Sequence, residues 1–272
     1  MRTEDGCEIA AYDFGGDGEP LLLVHATGFH AQAWLPVVRH LRGRFHCYAI
    51  DERGHGASPT PTNGDFHWRT MGDDTRAVVR ALELGACKAV GHSGGGAHLI
   101  MAEQDHPGTW EAIWSFEPVV PDFPIAATAA DNPLAGGALR RRAHFESREA
   151  GYENFASKAL FATFDPEALR LYVDHGFVDD PNGGVTLACR PEDEAEAYRG
   201  AAGSGAFERL AEVGIPVHVV CGEVSTHLPA PRLTPVVERL RHGSLEVMSG
   251  VGHFGPFEAP ERVAESILGV LG

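Results

Sequence analysis

The residues best placed to do chemistry are Gly91-His92-Ser93-Gly94-Gly95, a match to G-x-S-x-G. Ala89 and Val90 end a short apolar run before it, and Ala97, Leu99, Ile100, Met101 and Ala102 carry an apolar helical face after it. This pattern predicts a strand, a tight turn and a helix meeting at one serine. A serine at such an elbow sits in a strained backbone conformation that thrusts its oxygen outward. Side chains two residues to either side would collide with neighbouring backbone, and Gly91 and Gly95 have none. The helix that begins under Ser93 points its free N–H groups and its positive end at the site, where an anion forming on a substrate carbonyl would be stabilised. That is the chemistry of a serine nucleophile. The alternative is a glycine-rich loop that binds phosphate or only turns the chain.

A serine hydroxyl is a weak nucleophile and needs a neighbouring base. Fifteen histidines are present, and none form an H-x-x-x-H or H-E-x-x-H pair. His253 stands out because Gly250, Gly252 and Gly255 give its loop freedom to reach across a sheet edge. His92, next to the serine, reads as a packing or hydrogen-bonding residue.

The elements that must position these groups alternate along the chain. Residues 8–14 read as an edge strand, followed by the hairpin-type turn Gly15-Gly16-Asp17-Gly18. Residues 21–24 form a continuous apolar run, as in a strand buried on both faces. A helix over 33–41, a strand over 47–50, a helix over 73–84, the elbow and a strand over 112–116 follow. Strands over 217–221 and 245–248, a helix around 234–241 and a last helix from Pro260 close the chain. Alternation of this kind implies a mostly parallel, doubly wound sheet, whose ligands lie beyond the carboxyl ends of the strands. The stretches 25–29, 51–58, Ser93 and Glu117 all fall at such ends, with Asp51 and Arg53 bracing the glycine-containing loop after the second of them.

Between Val119 and about residue 205 the texture changes. Pro121, Pro124 and Pro133 punctuate its start, and helices are expected over 138–147, 153–160, 167–173 and 192–198, with a short extended piece over 185–189. Asp165 is a candidate N-cap, and Pro166 and Pro191 sit at first-turn positions. Phe145, Phe155, Phe161, Phe164 and Phe177 would line an apolar pocket or pack this excursion onto the body.

Composition sets outer bounds. The 272 residues are 43% hydrophobic and 22% charged, as in an ordinary globular chain, and the formal net charge of −16 argues against nucleic acid and anionic membranes as partners. No apolar stretch reads as a secretory signal or a membrane span, and the five scattered cysteines suggest free thiols and a cytoplasmic protein.

Taken together, His25-Ala-Thr-Gly-Phe, Asp51-Glu-Arg-Gly-His-Gly-Ala-Ser, Gly91-His-Ser-Gly-Gly and Gly252-His-Phe-Gly-Pro-Phe-Glu-Ala-Pro-Glu resemble the α/β-hydrolase superfamily. The resemblance is to its lidded branch of esterases, lactonases, dehalogenases and C–C bond hydrolases, and it covers roughly 8–119 and 207–272. It implies a core of residues 1–119 and 206–272 with a helical cap inserted over 120–205. It also implies Ser93 as nucleophile, His253 as base, and an oxyanion hole from the Thr27 and Gly94 amides. The aspartate-nucleophile branches are excluded by Ser93.

Two departures stand out. Ala26 replaces the usual glycine, which would cost about 1–2 kcal/mol if that position needs positive φ. Ser225 stands where the family usually has the aspartate of its triad. Glu117, at the end of the strand over 112–116, is the expected acid instead, with Glu223 as the second candidate and no acid as the third. The expected activity is cofactor-free and metal-free hydrolysis of a small, mostly apolar ester, thioester or lactone. C–C hydrolysis or lyase chemistry on the same scaffold, and a ligand-binding protein with a remnant triad, are the alternatives.

Overall fold

The computed structural model describes residues 1–272 apart from 124, 127 and 129, so the proline at 124 lies outside the described residues. The body contains strands β1 (Ala10–Gly15), β2 (Glu19–Val24), β3 (Phe45–Asp51), β4 (Cys87–His92) and β5 (Trp110–Phe116), with helices α1 (Leu35–Leu41), α2 (Trp68–Ala81) and α3 (Gly94–Asp105). Then come helix α4 (Pro133–Ala138), strand β6 (His144–Phe145), helices α5 (Arg148–Ala156) and α6 (Pro166–His175), strands β7 (Phe177–Asp179) and β8 (Val185–Leu187), and helix α7 (Pro191–Arg199). Strands β9 (Val217–Gly222) and β10 (Gly243–Met248) alternate with α8 (Ala230–Arg239), before the short α9 (Gly255–Glu258) and the final α10 (Pro260–Leu271).

Seven strands form one sheet in the order β1-β3-β2-β4-β5-β9-β10. Only β1 runs antiparallel, paired to β3; the other pairings are parallel. The apolar run 21–24 is central, flanked by β3 and β4. Its side chains alternate between two cores. Leu21 and Leu23 pack with Val37 and Leu41 of α1 and Val263 and Ile267 of α10, whereas Leu22 and Val24 face Met71 and Val78 of α2 and Leu99 and Ile100 of α3. Burial on both faces explains why β2 reads as unbroken hydrophobicity. All five cysteines are buried and unpaired.

The stretch between β5 and β9 holds more strand than the one short extended piece expected over 185–189, where β8 lies. It contains a three-stranded antiparallel sheet in the order β6-β8-β7. The helix expected over 138–147 lies earlier, at Pro133–Ala138, where Asn132 caps it by accepting from the Leu134 and Ala135 amides. Asp165 caps α6 in the same way, and Pro166 and Pro191 occupy first-turn positions. Phe145, Phe155, Phe161, Phe164 and Phe177 are all buried in a single cluster with Phe29, Tyr172 and Phe257.

Candidate active site

The elbow is built as sterics require. Ser93 has φ 55° and ψ −115°, a conformation few residues adopt, and α3 starts at the next residue. A Cβ on Gly91 would come within 2.5 Å of the Gly96 Cα. One on Gly95 would run into the His25 carbonyl oxygen and lie 2.7 Å from that of Val24. Both positions therefore need glycine. Ser93 is anchored through its backbone, its amide donating to the Phe116 carbonyl at 2.9 Å. Among the described residues its side-chain oxygen makes no hydrogen bond; it faces a cavity of about 300 Å³ that His253 and Thr27 also line.

Strand order brings the other groups to this edge. β4, β5 and β9 are neighbours, so the residues after them converge. Glu117 follows β5 with φ 45° and is fully buried. Its Oε2 accepts from His253 Nδ1 at 2.6 Å and from the Ser225 hydroxyl at 2.9 Å, and its Oε1 accepts from the Gly222 amide at 3.0 Å. Three donors converging on one carboxylate hold it rigidly. Ser225, which stands at the family's usual aspartate position, thus supports the carboxylate that reaches His253. Glu223 points elsewhere: its carboxylate accepts from the Ser249 hydroxyl at 2.7 Å and the Gly250 amide at 2.9 Å, tying down the loop that leads to His253.

Two further contacts hold that loop. Gly252 donates to Glu258 at 2.7 Å, and His92 Nε2 donates to the His253 carbonyl at 2.9 Å. His92 is fully buried, and among the described residues its Nδ1 has no partner. Burial first, then the neighbouring His253, push it well below the ordinary histidine value, so it stays neutral with its proton on the nitrogen that donates. The His227 ring stacks on His253 at 4.7 Å, and it too is held below the ordinary value by burial and by His253.

The loop after β2 carries Thr27. Ala26 does not adopt positive φ; Gly28 does, at 83°, so the alanine costs no strain. Neither the Thr27 nor the Gly94 amide has a hydrogen-bond partner among the described residues. The two residues adjoin, for a Cβ added to Gly94 would lie 2.9 Å from the Thr27 hydroxyl. Asp51 braces the loop by accepting from the Ala31 amide at 2.7 Å and the Ala57 amide at 2.8 Å, and buried Arg53 makes a two-pronged pair with Asp74, both bonds 2.7 Å. Beneath lies a group of buried histidines, including His98 hydrogen-bonded to Glu52, that no sequence pattern announced.

The cavity's far wall comes from the 120–205 stretch: Leu134, Arg141, Phe155, Lys158, Leu160, Phe161, Tyr172, Glu194 and Tyr198. Of the five phenylalanines singled out in the sequence, Phe155 and Phe161 line it, and the others pack behind. Arg141, Lys158, Glu194 and Tyr198 went unnoticed in the sequence: Arg141 and Lys158 lie in the bends that follow α4 and α5, Glu194 and Tyr198 on the short α7, and neither setting carries a periodic signal. Among the described residues no group of three His, Cys, Asp or Glu side chains is arranged to hold a metal ion, and no helix is long and apolar enough to cross a membrane.

The chain belongs to the alpha/beta hydrolase family, whose sequence profile matches residues 21–266. It is similar to 2-(acetamidomethylene)succinate hydrolase of Mesorhizobium japonicum, 26% identical over 254 residues that cover 93% of this chain and 87% of that protein. It also resembles 3-oxoadipate enol-lactonase 2 of Acinetobacter baylyi, 25% identical over 268 residues, 95% of this chain and 91% of that one. The crystal structure of E-2-(acetamidomethylene)succinate hydrolase shares the fold with a TM-score of 0.87 at 23% identity, over 100% of this chain and 98% of that chain.

Proposed function

We propose that this hydrolase cleaves a small carboxylic ester, thioester or lactone through an acyl-enzyme on Ser93. The observation that carries the reading is the 2.6 Å hydrogen bond between His253 Nδ1 and the fully buried Glu117 carboxylate, at the edge where Ser93 faces the cavity. A carboxylate there fixes the imidazole tautomer, leaves Nε2 free as a base and stabilises the imidazolium once it forms. Ser93 Oγ attacks the carbonyl carbon as His253 Nε2 takes its proton. The tetrahedral oxyanion is held by the Thr27 and Gly94 amides, both unengaged in the free protein and the second at the start of α3. His253 then protonates the leaving oxygen or sulfur, and water, deprotonated by the same histidine, releases the acid. Residues 120–205 act as a cap over this edge and supply most of the substrate wall.

Ser225 was the feature that favoured a remnant triad. Its hydroxyl donating to Glu117 supports the opposite reading, in which the acid has moved one strand and still hydrogen-bonds the histidine. The named chemistries of the relatives, hydrolysis and lactone opening, agree with a carbonyl substrate. Short p-nitrophenyl esters test the proposal. The native chain should turn them over, Ser93→Ala should not, and Glu117→Gln should slow turnover by roughly 10³-fold. Undiminished activity in either variant contradicts it.

A further inference from the structure

The cavity's charge does not follow from that of the chain. The molecule carries a formal −16, yet the lining holds two cations, Arg141 and Lys158, against a single carboxylate, Glu194. The cations are not equivalent. Arg141 is committed: its guanidinium pairs with Glu194 and donates to the Tyr172 hydroxyl at 2.9 Å, which holds it rigidly in the wall. Lys158 has no carboxylate partner among the described residues. Its ammonium rests over the Phe155 ring at 4.7 Å, at the exposed rim of the same cavity. Burial of its stem, and then the positive charges of Arg141 and Arg142, push Lys158 below the ordinary lysine value. Arg141 has its counter-ion in Glu194, whereas the Lys158 ammonium, beside other positive charge and without a carboxylate of its own, is relieved when an anion binds.

We infer that the substrate carries a carboxylate remote from the scissile carbonyl, and that Lys158, backed by Arg141, receives it at the cavity rim while the aromatic wall takes the carbon chain. This rests on the hydrolase reading above and names its substrate class, a small ω-carboxylated ester, thioester or lactone. The acidic remainder of the molecule repels such a ligand at long range, so recognition depends on the local pair. Lys158 is a specificity residue: it offers a point charge to the end of the substrate and takes no part in bond breaking.

Binding to the Ser93→Ala protein, which cannot consume its ligand, tests the inference by calorimetry. The probes are monoethyl succinate and its neutral near-isostere ethyl levulinate. The carboxylate should bind about tenfold more tightly, and the advantage should shrink at high salt. Adding Lys158→Met should remove most of the difference, and Lys158→Arg should keep most of it. Equal affinities for the two probes, no measurable binding of the carboxylate at millimolar concentration, or a preference unchanged in Lys158→Met would overturn the assignment. Covalent labelling of Ser93 by a fluorophosphonate in the native chain is read separately. Labelling without a carboxylate preference sinks only the substrate class; a Lys158-dependent preference without labelling sinks only the hydrolase reading.

Discussion

Glu117 is held by three donors from three different segments: the Gly222 amide at the end of β9, the Ser225 hydroxyl in the loop after it, and His253 in the loop after β10. Each removes some of the cost of burying the charge, and a buried hydrogen bond to a charged group contributes about 1.5–3 kcal/mol. Ser225→Ala should therefore loosen the carboxylate without removing it. The expected result is a fall in kcat/KM of roughly tenfold, far less than for Glu117→Gln, with the fold retained; a loss as large as that of Glu117→Gln would mean that Ser225 itself touches the histidine. At this scale the sequence was informative wherever chemistry forces a residue type. Ser93 is flanked by glycines because nothing else fits, and Glu117 ends a strand beside a position where serine replaces an expected aspartate. The contents of the far wall were not legible, because nothing in one chain says which bends and short helices of the 120–205 stretch will meet a cavity.

Elements explain the rest of the placement. The β4–α3 elbow is a close-packed junction in which α3 is buried along nearly its whole length. Gly95→Ala would press a methyl group onto the carbonyl oxygens of His25 and Val24, backbone that also carries Thr27. Overpacking of this kind costs about 1–3 kcal/mol. A melting temperature lower by roughly 2–10 °C is expected, together with reduced ester turnover from a displaced Thr27 loop; an unchanged melting temperature would show that the loop can move aside freely. The central strands were readable because burial on both faces gives a continuous apolar run. Other boundaries were not. Helix α2 starts at Trp68 and not Asp73 because its buried face includes Gly72 and Asp74, the latter neutralised by Arg53, so the apolar stripe is interrupted. Strands β6 and β7 have two and three residues, too few for an alternating pattern to register, and of this small sheet only β8 was legible, as the extended piece over 185–189. Helix α4 contains Gly136 and Gly137 and is recognisable only through its Asn132 cap.

For the whole molecule, the buried histidines set a pH limit. His30 and His55 are fully buried, and burial pushes both down to about 4; His92 is lowered as well. An unfolded chain binds protons at these sites near pH 6.5, so between about 4 and 6.5 the unfolded state holds more protons than the folded one. Stability therefore rises with pH across this window, is complete above about 6.5, and is lost as the pH falls. His30 and His55 should each withdraw on the order of 2 kcal/mol between pH 7 and pH 5. Urea midpoints measured across this range should fall steadily toward acid; a flat profile would mean that water reaches these rings.

The central claim is that Ser93 is a nucleophile activated by His253 and Glu117, and intact-mass spectrometry after exposure to a fluorophosphonate tests it most directly. The folded native chain should gain one phosphonyl adduct, mapped to the peptide containing Ser93. Ser93→Ala should gain none, and Glu117→Gln should react much more slowly. A folded native chain that stays unmodified, or an adduct that persists in Ser93→Ala, would contradict the account.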